Sequence, residues 1–324
     1  MVNKAIKYYV ICLTLLIIMA GVILYACLPD PIKTVVVKED PAIWVPPALS
    51  TLINSPESDL ILYGKDLILH TSKYLGPKGA IAVKSNGMNC GNCHLDAGTR
   101  LNGNSFAAVA STYPKFRNRS GKLESIEFRI NDCFERSLNG KGLDSLSREM
   151  RAMVAYIKWL GKDVPKNVIP KWAGIPKLEL LKRAADCNKG KQVYLANCIK
   201  CHGVDGQGKL NTESTGFMYP PVWGTHSFNV SAGIYRISPL AGFVKYNMPF
   251  TTVQTDPKLS DDEAWDVAAY VISQQRPVKF FKEDWPKIET KPVDYPYGPF
   301  ADSLSVTQHK YGPFPLLKNK KQGK

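Results

Sequence analysis

Cysteine is scarce in this chain. Eight residues in 324 are too few for a small fold stapled by disulfides. Acidic side chains are also under-represented, 28 against 42 Lys and Arg, which leaves a formal charge of +14. Strand-like alternation never extends beyond a few residues, which argues against a sandwich or barrel. No nucleic-acid-binding module is present and the basic residues are scattered, so the charge does not mark a nucleic-acid surface. Disorder is excluded as well, since 44% of the residues are hydrophobic and 22% charged. What remains is a basic, mainly helical chain long enough for two domains, whose few cysteines must be read by position.

The N-terminus reads as a targeting segment. Lys4 and Lys7 precede an uncharged run from Tyr8 to Leu28. As a helix this run would be roughly 31 Å long, enough to cross a bilayer. Residues 1–28 are therefore expected to be a signal peptide, a lipoprotein signal or a membrane anchor. The run ends Leu24-Tyr25-Ala26-Cys27, similar to a bacterial lipoprotein cleavage box that would place a lipid on Cys27. The short lysine-bearing side stays in the cytoplasm and sends the remainder into the periplasm. Cys12, inside the run, reads as a small apolar residue.

Prolines punctuate the chain beyond this segment. Residues 29–57, with Pro29, Pro31, Pro41, Pro46 and Pro47, read as a tether. Residues 58–164 and 179–276 form two helical domains of similar plan, joined by a linker at 165–178 with Pro165, Pro170 and Pro176. Met150, Met153, Val154, Ile157 and Leu160 recur at helical spacing before Gly161. Ser260 and Glu263 form a capping box ahead of the stripe Ala264, Val267, Ala268, Val271 and Ile272. Residues 277–324 form an extended C-terminal tail rich in Pro, Tyr and Phe, ending in Lys318, Lys320, Lys321 and Lys324.

Each domain carries one Cys-rich knot. The first is Cys90-Gly91-Asn92-Cys93-His94 and the second is Cys198-Ile199-Lys200-Cys201-His202. C-x-x-C-H is the signature of covalent haem attachment. Two cysteines three apart form thioethers to the two vinyl groups of one porphyrin, and the adjacent His then faces the iron. A zinc site would need further Cys or His partners at short spacing, and none is present. A thioredoxin-like redox pair would need an α/β context, which is absent. The cofactors are therefore two covalently bound haem c, and the fold is two tandem cytochrome c-like helical domains.

The sixth ligand of each iron is less constrained. In the second domain the candidates are Met218, His226, Lys245 and Met248. Met248-Pro249 lies just before the closing helix, as in small soluble cytochromes c, and is preferred; Lys245 and Asn247 stand close enough to compete or to tune it. The first domain has no Met-Pro. Met88 is too near the Cys pair, Met150 and Met153 lie on a core stripe, and His70 reads as a hydrogen-bonded His. Cys133 is left, either a buried free thiol or a thiolate on iron. Arg129, Cys133 and Ser137 share one helix face, Arg136 borders it, and Arg117 and Arg119 add positive charge upstream. Such a face would lower a thiol pKa and hold an oxyanion beside the sulfur. Cys187 has no assigned partner.

Two haem knots, Cys133 at its distance from the first, and Asn247-Met248-Pro249 after the second resemble the dihaem thiosulfate dehydrogenase / tetrathionate reductase cytochromes. The resemblance runs over roughly residues 58–315. It includes His70-Thr71, Tyr74-Leu75-Gly76-Pro77, Tyr219-Pro220-Pro221-Val222-Trp223-Gly224 and Asp294-Tyr295-Pro296-Tyr297-Gly298-Pro299. It implies His94 and Cys133 as axial ligands of a catalytic haem, with Arg119, Arg129 and Ser137 lining the substrate pocket. It implies His202 and Met248 on a second, electron-transferring haem. The implied reaction joins two thiosulfates into tetrathionate with release of two electrons, or the reverse. The substrates are small sulfur anions, and the redox partner is a cytochrome or quinone-linked carrier. The N-terminal segment departs from the family, so membrane attachment is not carried over.

The alternative function is a membrane-tethered dihaem cytochrome that only carries electrons to a terminal oxidase or reductase. A dihaem peroxidase is disfavoured, since no cluster of calcium-binding carboxylates stands between the domains. Haem content should be two per chain, falling to one when Cys198 and Cys201 are both replaced by Ala; the pyridine haemochrome of purified protein measures it.

Overall fold

The structure is a computed structural model that describes residues 2–26, 38–213, 215–250 and 258–314. The chain divides into two units, residues 1–36 and 37–324. In the first, helix α1 spans Val2–Ala26. Of the run Tyr8–Leu28, side chains are described only for 8–10 and 13–21, so the anchor expectation lies partly, and the Cys27 expectation wholly, outside the described residues. Counted over the described residues, no helix is long and apolar enough to cross a membrane.

The second unit is mainly helical and holds two hydrophobic cores. The first core is built on α2 (Pro56–Leu69), α3 (Ile126–Arg136) and α4 (Arg148–Leu160). Ser55, Ser125 and Ser147 cap them, each side chain accepting a backbone N–H three residues on, which satisfies one otherwise orphaned donor. The apolar faces meet as expected from their spacing: Leu67, Met150, Met153 and Leu160 are fully buried. Each such side chain contributes about 1.5–3 kcal/mol.

The second core repeats the plan with α5 (Cys187–Asn197), α6 (Ile237–Asn247) and α7 (Asp261–Ser273). The Ser260–Glu263 capping box is present. Asp186 caps α5 through the N–H groups of Asn188 and Lys189.

One device serves both cores. The first helix of each domain crosses the last at a glycine. A Cβ on Gly64 would lie 2.0 Å from the Ala152 carbonyl oxygen, and one on Gly190 would lie 1.9 Å from that of Asp266. The backbones are that close, so no larger residue fits without prising the helices apart.

Three two-stranded sheets accompany the helices among the described residues: β1 (Lys38–Ile43) with β4 (Val168–Lys171), β2 (Lys115–Arg117) with β3 (Lys122–Glu124), and β5 (Lys209–Leu210) with β6 (Phe217–Tyr219). They are too short to leave an alternation in the sequence. The parallel β1–β4 pair ties the segment read as a tether to the segment read as a linker, and Trp44 enters the first core.

The tail is fastened at several points among its described residues, 277–314. Ser231 donates to the Lys279 carbonyl (2.6 Å), the Trp285 N–H donates to the Arg119 carbonyl (2.6 Å), and Asp294 accepts from Arg236 and Ser238. Helix α8 (Val306–Tyr311) then packs on the second core, where Ser273 and Tyr311 stand beside Cys187.

Gly64→Ala should destabilise the protein by about 1–3 kcal/mol through overpacking. Gly233→Ala, where a Cβ meets nothing within 4 Å, should be near neutral. Urea unfolding followed by circular dichroism compares the two.

Candidate functional site

The first knot is docked onto the end of α2. The Cys90 N–H donates to the Thr71 hydroxyl (3.0 Å), which itself donates to the Leu67 carbonyl (2.8 Å). Asn89 accepts from the Ser72 N–H (2.7 Å), and Asn92 accepts from the Asn89 N–H (2.7 Å). These bonds fix the two thiols and the ring of His94 relative to the helix.

The two histidines are set in the same way. His94 Nδ1 lies 2.7 Å from the Asn104 carbonyl and His202 Nδ1 lies 2.8 Å from the Pro220 carbonyl. A carbonyl only accepts, so Nδ1 carries the proton and Nε2 keeps its lone pair, the tautomer a metal-ligating His needs. Burial pushes His94 down to about 4 and also lowers His202, so both rings are neutral. His94 stacks on Phe106 at 4.3 Å.

The chemistry of the donor set fits haem c in both domains: two unpaired thiols and a neutral His on each knot. A further observation in the second domain supports the fit. Arg276 is only 9% exposed, sits over the Phe228 and Tyr235 rings, and leaves Nε and Nη1 without a partner among the described residues. A buried, half-satisfied guanidinium calls for an anion, and a haem carries two propionates.

Helix α3 brings Cys133 within electrostatic reach of Cys90 and Cys93, with Arg129 one turn before it and Ser137 capping the helix end through its N–H to the Cys133 carbonyl (2.8 Å). The expected lowering of the thiol pKa is not found. Burial raises Cys133, and Arg129, the largest opposing influence, does not overcome it. A thiolate loses more hydration here than nearby guanidiniums return; a bound metal, rather than the arginines, would deprotonate it.

The arginines are spread over two elements. Arg129 and Arg136 lie on α3 and both bond Asp132. Burial favours the neutral Asp132 carboxyl, but Arg129 and Arg136 outweigh it and hold it below the ordinary value. Arg117 ends β2 and acts on Cys133. Arg119, in the turn after β2, donates to the Tyr295 hydroxyl at 2.5 Å and lies 3.7 Å from Asp284. Tyr113 and Glu124, both buried, face this charge cluster, and no motif in the sequence pointed to them. Nor did any motif point to Asp284, because it comes from the unpatterned tail.

Around the second knot the ligand candidates separate. Met218 and His226 are exposed. Lys245 Nζ is engaged by the Leu259 carbonyl (2.6 Å) and Asp261 (3.0 Å). Asn247 is fully buried and donates to the Phe243 and Asn102 carbonyls, both at 2.9 Å. Met248 caps α6, ahead of Pro249, where the chain turns away. In the first domain Met88, Met150 and Met153 are core residues, and His70 is paired with Asp66 at 2.7 Å.

Two family models match, the SoxA/TsdA cytochrome c domain over residues 81–165 and cytochrome c over residues 187–275. Over 197 residues the chain is 41% identical to a thiosulfate dehydrogenase of Allochromatium vinosum, which covers 60% of this chain and 71% of that protein. The thiosulfate dehydrogenase of Psychrobacter arcticus is 37% identical over 241 residues, 74% of this chain and 71% of the relative. This chain belongs to the thiosulfate dehydrogenase family. A solved thiosulfate dehydrogenase (TsdBA) from Marichromatium purpuratum superposes with a TM-score of 0.65 at 30% identity, over 72% of this chain. This chain covers half the length of that one. Family membership makes the two domains cytochrome c domains that carry covalent haem c.

Proposed function

We propose that this chain is a dihaem cytochrome c that interconverts thiosulfate and tetrathionate at the site around Cys133. The observation that carries the reading is the nearness of Cys133 to the first Cys pair, on a helix where Arg129 lies beside it and can offset the charge of a dianion. Cys90, Cys93, His94 and Cys133 would hold the catalytic haem. Cys198, Cys201, His202 and Met248 would hold the second.

The Cys133 thiolate bonds to the sulfane sulfur of one thiosulfate, giving a protein S-sulfanyl sulfonate and two electrons. The sulfane sulfur of a second thiosulfate then attacks the sulfane sulfur of the adduct, tetrathionate forms, and the Cys133 thiolate leaves, as in thiol–disulfide exchange. Held by these residues, the haems would supply the acceptor for those two electrons, and a centre held by His202 and Met248 would be the higher in potential and so the exit. Arg129, with Arg117 nearby, offsets the substrate charge; Ser137 lies one turn beyond Cys133 and offers a hydroxyl. Arg119 is held in a contact with Tyr295, and its part is to set the field from behind.

The electron partner is proposed as a cytochrome or a quinone-linked carrier. The periplasm is the proposed compartment, with residues 8–28 or a lipid on Cys27 attaching the chain to the membrane. The uncharged run after Lys4 and Lys7 supports this placement.

Wild-type protein should oxidise thiosulfate with an artificial acceptor and reduce tetrathionate with a donor. Cys133→Ala should lose two or more orders of magnitude in both directions. Full activity in that variant with both haems retained would overturn the mechanism. A low-temperature EPR spectrum of the oxidised protein should contain a thiolate-ligated low-spin haem; its absence would favour a simple electron carrier.

A further inference from the structure

The arginines around Cys133 do not play equivalent parts. Arg136 spends its whole fork on carboxylates. Its Nε bonds Asp132, and Nη1 and Nη2 each lie 2.7 Å from an oxygen of Asp284. Only 7% of its side chain is exposed, and it stacks 3.8 Å over Phe281. Three of its five N–H donors are committed to carboxylates and the group is buried, so it offers little to a ligand. Arg129 uses Nη1 on the other oxygen of Asp132 and remains 34% exposed beside Cys133. Arg119 shares Asp284 with Arg136, at 3.7 Å. The result is a ladder of alternating charge: Arg129, Asp132, Arg136, Asp284, Arg119.

Asp284 reaches this ladder from 148 residues downstream of Arg136. Its neighbour Trp285 adopts a left-handed backbone (φ 62°), which a bulky residue takes only where its surroundings impose it. The Trp285 N–H grips the Arg119 carbonyl, and the indole lies beside the Arg119 guanidinium. The tail is thus anchored at the point where it delivers a carboxylate, 11% exposed, between two arginines.

We propose that Asp284 is a positioning residue for the anionic substrate. It pins Arg136 and Arg119, so that Arg129 need share Asp132 with only one bond of Arg136 and keeps its remaining donors for the dianion beside Cys133. With Asp284 neutral, Arg136 can close its fork only on Asp132, the carboxylate that also orients Arg129. Arg119 loses its counter-charge at the same time. The C-terminal tail is then a working part of the site. The inference rests on the thiosulfate reading of the Cys133 site.

The test is steady-state kinetics on the holoprotein. Asp284→Asn should raise KM for thiosulfate on the order of tenfold, as for one lost charge-assisted contact, with kcat changed less than about twofold. Absorption spectra of both haems should stay as in wild type, and Asp284→Glu should recover most of the loss. An unchanged KM in folded Asp284→Asn, or a fall in kcat alone, overturns the proposal. Should Asp284→Asn fail to fold, Tyr295→Phe decides. That variant removes the hydroxyl that holds Arg119 and should raise KM a few-fold; an unchanged KM overturns the proposal. Absence of thiosulfate turnover by wild type would sink the functional reading itself, a different outcome from wild-type turnover with unaltered variants.

Discussion

Everything in the haem-bearing unit depends on how closely two helices can cross. At Gly64 and again at Gly190 the backbone of the first helix touches a carbonyl of the last, Ala152 or Asp266. In the second domain the knot at Cys198 follows that helix directly; in the first, Cys90 comes later in the chain and is brought back to the helix end. In the first domain, Thr71 and Asn89 then lock the knot to the helix end. The crossing sets where the helix stands, and in the first domain these bonds set the thiols and His94 on it.

The two domains are joined through the loop after the first knot. Asn104 accepts from His94, and two residues earlier Asn102 accepts from Asn247, the residue next to Met248. Arg100 lies over Phe250 at 4.4 Å. The same short loop therefore touches His94 in the first domain and the turn that carries Met248 in the second. The tail makes a second junction: it grips the Arg119 turn and α3 in the first domain and Ser231 and Arg236 in the second.

Much of this was legible in the residues, for identifiable reasons. C-x-x-C-H needs only local spacing to mean haem attachment, so both knots could be read without any tertiary information. The helices carrying Met150–Leu160 and Ala264–Ile272 announce themselves by period and cap. Cys133 stood out because a thiol in the middle of a basic helix face is an odd residue there. The small sheets, Trp44 in the first core and the partners of Cys187 left no pattern, because each depends on segments far apart in sequence. The electrostatic expectation at Cys133 named Arg129, Arg117 and Arg136, which do act on it, but had the balance wrong, since burial is a property of the packed chain and cannot be weighed from neighbours on one helix.

The sequence by itself determined the cofactor chemistry, the two-domain helical plan and the family, because these reside in short motifs and in periodicity. The tertiary structure decided which arginine is free and which is spent. Arg117, Arg119, Arg129 and Arg136 look alike along the chain. They differ only once Asp132 and Asp284 arrive, one from the same helix and one from a distant tail, and charge pairing is settled by distance in space.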